Sequence, residues 1–238
     1  MESPRRTSNL SQQLVDRIGA AIVRGDYGTE ASLPIEAKLS EEFQASRSVT
    51  REAIKMLTAK GLVGSRPRRG TFVEPETNWN LLDPDVLGWI LQRTYSPQLM
   101  REFLQVRMAV EPAAALAAQM ANEKGKARIR EALDGMKAAA RGEADPLLTD
   151  IAFHSAVLRA SGNRFFAQFV PFVETALRFT IQVTNRAKGV RMASVGDHET
   201  ILRAIEAGDA AQASRAVTEI LNEAIALVAL RDEPRPGG

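Results

Sequence analysis

Apolar residues recur every four positions at Leu10, Leu14, Ile18 and Ile22. That spacing predicts an amphipathic helix over 10–24, closed by Gly25. Pro34 opens a second short helix with Leu39 and Phe43 on its inner face. Ser46 suits the N-cap of a third helix, whose Val49, Ala53, Ile54 and Leu57 turn inward and which Gly61 terminates. Arg47, Ser48, Thr50 and Arg51 crowd its first turn and a half. Two short strands, around Leu62–Val63 and Thr71–Val73, then flank the hairpin Ser65-Arg66-Pro67-Arg68-Arg69-Gly70.

After a linker at Glu74–Asn78 the strand-like alternation stops. Helical periodicity predicts segments over about 84–93, 96–121 (kinked at Pro112), 124–141, 146–161, 164–186, 194–207 and 209–230. The expected architecture is mostly α. A winged helix-turn-helix domain over 8–75 precedes an all-α bundle of six or seven helices over 80–231. A hydrophobic fraction of 45% with only 5% aromatics agrees with helices built on Ala, Leu and Val.

Charge changes the picture in one place. Between Gln44 and Gly70 seven cations (Arg47, Arg51, Lys55, Lys60, Arg66, Arg68, Arg69) face one carboxylate, Glu52, in a chain whose net charge is only +2. A basic helix and hairpin in that order point to double-stranded DNA. The recognition helix would enter the major groove, and the Arg-rich tip would reach phosphates or the minor groove. There is no Cys, hence no disulfide and no thiolate site. The first residues carry no apolar signal core and no apolar run approaches 18 residues, so the expected location is cytoplasmic, with no membrane partner.

The stretch from Leu33 to Val73 resembles the GntR family of winged-helix repressors. Leu33-Pro34, Glu36, Leu39, Ser46-Arg47, Arg51-Glu52-Ala53, Leu57, Gly61-Leu62-Val63 and Arg69-Gly70-Thr71-Phe72-Val73 carry the likeness. It implies that Arg47, Ser48, Val49 and Arg51 read and grip an operator, with Gly70 at the tip of the wing beside Arg66, Arg68 and Arg69. Ala37 stands where many members have Arg, and Lys38 beside it could supply a phosphate contact instead.

The bundle segment holds both His of the chain. Asp150 and His154, four residues apart, project from one helix face, and His198 opens a later helix. Two imidazoles and a carboxylate suit a divalent zinc, nickel or manganese ion; the spacing alone equally suits a local hydrogen-bonded pair. Arg107 lies among Leu104, Val106 and Val110 and needs an anionic partner. Either Glu111, four residues on, or the carboxylate of a bound effector would serve. Arg178 and Thr184 are further candidate polar contacts, and Trp79 and Trp89 read as packing residues at the domain junction.

This half resembles the FCD ligand-binding domain of the FadR subfamily, through Arg107-Met-Ala-Val-Glu111-Pro112, Asp150-Ile-Ala-Phe-His154, Asn163 and His198–Ile205 followed by Gly208-Asp209. Metal-binding members use one Asp and three His. Asp150, His154 and His198 fall on three of those positions and Ile220 on the fourth. The resemblance leaves two options: a metal held by three residues plus water or ligand, or the same residues acting directly on an organic effector. A closer likeness over Asn78–Trp89 implies a repressor of sugar-acid, galactonate-like catabolism. It would bind a near-palindromic operator as a homodimer and leave it when a small carboxylate enters the bundle. The alternatives are another carboxylate (lactate, a dicarboxylate or an aromatic acid), a metal-dependent enzyme with a DNA-binding appendage, or a sequence-tolerant DNA architectural protein. No Gly-rich phosphate loop and no nucleophile triad is legible, so no enzymatic activity is expected.

Overall fold

The computed structural model describes residues 10–68, 70–93, 96–189 and 193–229. The chain divides into two compact units, residues 1–95 and 96–238.

The first unit contains α1 (Leu10–Arg24), α2 (Glu36–Glu42), α3 (Arg47–Ala59), the antiparallel strands β1 (Val63–Arg66) and β2 (Gly70–Val73), and α4 (Pro84–Arg93). Leu14, Ile18, Ile22, Leu39, Leu57 and Val63 form its core. Each such side chain contributes about 1.5–3 kcal/mol on burial. Ser46 caps α3 as expected, its Oγ accepting from the Val49 amide. The strands pair from Val63 opposite Val73 to Arg66 opposite Gly70. The Glu30 and Leu33 amides donate to the Val73 and Thr71 carbonyls, so the segment before α2 lies along the open edge of β2.

The segment that holds the expected linker, Glu74–Asn78, and runs on to Asp83 is strapped onto the end of α3. The Asn80 amide donates to the Lys60 carbonyl. Gly61 has φ +78°, and a Cβ there would lie 2.3 Å from the Asn78 carbonyl oxygen, so only glycine admits the strap. Lys60 Nζ sits 2.8 Å from both Asp83 oxygens and from Asp85 Oδ2. The next helix, α4, lays Trp89 on α1, where a Cβ at Gly19 would meet the indole at 2.3 Å. The helix at 84–93 therefore packs in the first unit rather than in a domain beginning at residue 80. Trp79 and Trp89 belong to that same core instead of a junction.

The second unit is all-α: α5 (Pro97–Ala118), α6 (Glu123–Ala140), α7 (Pro146–Ala160), α8 (Arg164–Gln168), α9 (Val170–Lys188), α10 (Val195–Ala207) and α11 (Ala210–Ala229). Side-chain N-caps at Ser96, Asn122, Asp145, Asn163 and Ser194 start five of them. α5 passes through Pro112 as one helix. The single helix expected over 164–186 is two. Pro171 has no amide to continue the helix from α8, and it sits in the first turn of α9, where none is needed. α11 packs along α5, α6 on α7, and α10 on α11 and α6. Leu104, Ile129, Leu133, Met136, Phe153 and Leu177 fill the interior.

Candidate metal and effector site and the DNA-binding face

On the first unit, Arg47, Ser48 and Arg51 are exposed at the start of α3, and Lys38 is exposed on α2. Arg51 Nε rests 3.3 Å from Glu36 Oε2, a surface pair worth little in solvent. Val49, expected both to face inward and to touch DNA, is half-buried against the core. Thr50 is not part of the exposed polar cluster. It is fully buried, bonded to the Ser46 carbonyl and to Ser40 Oγ of α2, so it fixes the two helices against each other. Lys60 is withdrawn by Asp83 and Asp85 and adds no free cation to the face.

In the hairpin, the Arg66 guanidinium stacks 4.7 Å over the Phe72 ring. Arg68 takes φ +66° in the turn. Gly70, at φ +76°, is the first residue of β2 and pairs opposite Arg66 beside the turn. Arg69 lies outside the described residues.

In the bundle, α7 presents Asp150 and His154 on one inner face and α10 brings His198 to meet them. All three are at most 5% exposed. Asp150 Oδ1, His154 Nε2 and His198 Nε2 form a near-equilateral triangle with sides of 3.3, 3.2 and 3.4 Å. Asp150 Oδ1 is buried and has only these two imidazole nitrogens beside it. Three corners of a tetrahedron with ligand bonds of about 2.0–2.1 Å have edges of about 3.3–3.4 Å. The donor set and its spacing therefore fit a divalent ion such as zinc.

The other ring nitrogens are committed. His198 Nδ1 lies 2.7 Å from the Ser194 carbonyl, to which it can only donate. His154 Nδ1 lies 2.7 Å from Glu111 Oε2. Glu111 is in turn gripped by Arg107, through Nε to Oε1 and Nη2 to Oε2 at 3.3 Å. Of the two readings of Arg107, the pair with Glu111 is formed, and it is nearly inaccessible to solvent. The same Arg107 also lines the cavity above the triangle, with Thr180, Asn185, Ser194, Asp197 and Glu223 as polar neighbours. Leu177, Ile181, Ile220 and Leu227 supply apolar wall, so the fourth ligand position is an apolar surface of the cavity.

Burial alone would raise the Glu111 carboxyl, but the charges of Arg107 and His154 hold it at about 2. Burial likewise opposes ionisation of Asp150, and the adjacent imidazoles bring it below the usual carboxylate range. Burial would depress His154; Glu111 and Asp150 outweigh that and lift it to about 9. Without a metal, the cluster thus relieves its crowded lone pairs by keeping a proton on His154. Arg178 is exposed and does not line the cavity. Thr180, one helical turn before Thr184, does, while the Thr184 side chain lies outside the described residues. Glu111 carried a sequence signal only as the Arg107 partner, and its contact with His154 was invisible across 43 residues.

Comparison with known proteins agrees with both halves. Residues 10–73 match the model of bacterial regulatory proteins of the gntR family, and residues 102–223 match the FCD domain. The chain is 36% identical over 210 residues to the galactonate operon transcriptional repressor of Escherichia coli K12, covering 87% of this chain and 92% of that protein. It is 32% identical over 188 residues to the transcriptional regulator LutR of Bacillus subtilis 168, covering 75% and 83%. The solved structure of Lar, which controls expression of the Listeria monocytogenes agr system, superimposes with a TM-score of 0.56 at 18% identity, covering 96% of this chain and all of that one. That likeness is one of fold. No helix among the described residues is long and apolar enough to cross a membrane. The chain belongs to the gntR family of bacterial regulatory proteins and is a DNA-binding transcriptional regulator of the type that carries an FCD domain.

Proposed function

We propose that this regulator is a homodimeric, cytoplasmic repressor of sugar-acid catabolism, released from its operator when a small carboxylate binds in the bundle beside a divalent metal ion. Asp150 Oδ1, His154 Nε2 and His198 Nε2 would hold the ion, and Ile220 leaves its remaining position to water or effector. When bound, the ion supplies a Lewis-acid seat for a carboxylate oxygen.

The observation that carries this reading is the buried triangle of Asp150 Oδ1, His154 Nε2 and His198 Nε2, and the charges around it agree. Arg107 and protonated His154 neutralise Glu111 and Asp150. Exchanging the His154 proton for a divalent cation leaves one uncompensated positive charge in a buried site, which an anion must offset. A monocarboxylate restores neutrality. Thr180, Asn185 and Ser194, with Asp197 and Glu223 at the exposed rim, offer donors and acceptors for hydroxyl groups. That lining favours a polyhydroxylated acid such as galactonate, in keeping with the E. coli relative's name. A simpler carboxylate such as lactate is the second reading, since another relative is named as a putative L-lactate dehydrogenase operon regulator at 28% identity.

Thermal-shift titrations of the full chain with zinc, then with galactonate, lactate and dicarboxylates, test the assignment. A ligand at 100 times its Kd stabilises by about 2.7 kcal/mol. Galactonate should raise the midpoint of the zinc-loaded protein and dissociate it from its operator. A midpoint and an operator affinity unmoved by every acid would overturn the reading.

At the other end of the chain, Arg47→Ala and Arg51→Ala should each weaken operator binding by about 1–3 kcal/mol, the worth of a bidentate base contact. Arg68→Ala should lower the slope of log affinity against log salt by about one. Gel-shift titrations at two salt concentrations read both. Undiminished binding by the Arg47 and Arg51 variants would remove α3 from the major groove.

A further inference from the structure

Resting on the metal reading above, we propose that Glu111 is a positioning residue of the metal centre, acting through His154, and that Arg107 is the anchor that holds Glu111 in place. The argument is one of geometry. An imidazole can offer its Nε2 lone pair to a cation only if its remaining proton sits on Nδ1. His154 Nδ1 points at Glu111 Oε2 from 2.7 Å, and an ionised carboxylate only accepts. Glu111 therefore selects the tautomer that faces Nε2 toward Asp150 Oδ1 and His198 Nε2.

Glu111 is itself immobilised. It is 2% exposed, and both its oxygens are engaged by Arg107 on the preceding turn of α5. The order Arg107, Glu111, His154 is thus a continuous chain of charge-assisted contacts running from α5 into α7. His198 has a weaker counterpart, the neutral Ser194 carbonyl at 2.7 Å. The two imidazoles differ accordingly. A carboxylate partner raises the electron density on Nε2, so His154 is the stronger of the two nitrogen ligands. An Arg–Glu pair whose only task was to stabilise the bundle would need no third partner at hydrogen-bond distance.

The test uses Co²⁺ as a spectroscopic probe of the full-length protein. Glu111→Gln keeps the side chain's size and an acceptor oxygen but removes its charge. It should weaken Co²⁺ binding about 10- to 100-fold and shift the visible absorption bands of the bound ion. Wild-type affinity and an unchanged spectrum in a folded Glu111→Gln protein would overturn the role of Glu111 and leave the metal site standing. Failure of wild type to bind Co²⁺ or Zn²⁺ would remove the metal reading and this inference with it. Should Glu111→Gln not fold, ring-nitrogen NMR of zinc-loaded wild type decides. A proton on His154 Nδ1 with the metal on Nε2 supports the role, and the reverse arrangement overturns it.

Discussion

Arg107→Ala is expected to destabilise the bundle by about 3–5 kcal/mol, the usual result of removing one partner of a buried ion pair. The guanidinium is 4% exposed and binds Glu111 through two nitrogens. Its loss leaves a carboxylate, 2% exposed, facing only His154. For a unit of this size the thermal midpoint should fall by roughly 10–15 °C. Removing both charges in Arg107→Ala, Glu111→Ala should be milder than Arg107→Ala alone, because no orphaned charge remains. Calorimetric melts of the three proteins give the comparison. The outcome bears on function, since a loss of effector response in Arg107→Ala does not by itself mark Arg107 as an effector clamp. The clamp is supported if calorimetric titration of still-folded, zinc-loaded protein with galactonate weakens about 10- to 150-fold, as for a lost charge-assisted bond of about 1.5–3 kcal/mol. Equal affinity would assign Arg107 to Glu111 alone.

His198→Ala and Asp150→Ala are expected to abolish metal binding and effector response while leaving operator affinity within about twofold, since either change leaves two ligands where an ion needs three or more. Elemental analysis and gel shifts with galactonate read the two effects. Retained metal in either variant would sink the triangle as the site.

The pH dependence follows from the same groups. His154 is raised from 6.5 to about 9, so in the metal-free protein its contribution to stability is complete below 6.5 and lost as pH rises through 9. Glu111 is lowered from 4.5 to about 2, so its contribution is present above 4.5 and lost as pH falls through 2. These two groups therefore give the metal-free protein a plateau between about 4.5 and 6.5. Metal must displace the His154 proton, so its apparent affinity should rise about tenfold per pH unit up to pH 9, with one proton released per ion at neutral pH. A pH-independent affinity between 6 and 8 would show that His154 holds no proton for the metal to displace.

Features that depend on local periodicity and local chemistry were legible along the chain. The four-residue spacing of Leu10 to Ile22 fixed α1, and the cap at Ser46 fixed where α3 begins. The motifs of the basic helix and hairpin carried the family, and the i, i+4 spacing of Asp150 and His154 placed both on one face. The Arg107–Glu111 pair was legible for the same reason, since one helical turn brings the two charges together in any α-helix.

Tertiary structure decided whatever depended on residues far apart in the chain. Pairing of Lys60 with Asp83 and Asp85 turned a linker into a strap and took one cation off the DNA-binding face. Ser40 of α2 drew Thr50 inward, although its place among Arg47, Ser48 and Arg51 read as exposed. His198 met His154 and Asp150 only because α10 packs where it does, and Glu111 reached His154 only because α5 lies against α7. A polar side chain's burial, partner and protonation are set by the neighbours that exclude water from it, and periodicity along one helix carries no record of which neighbours those are.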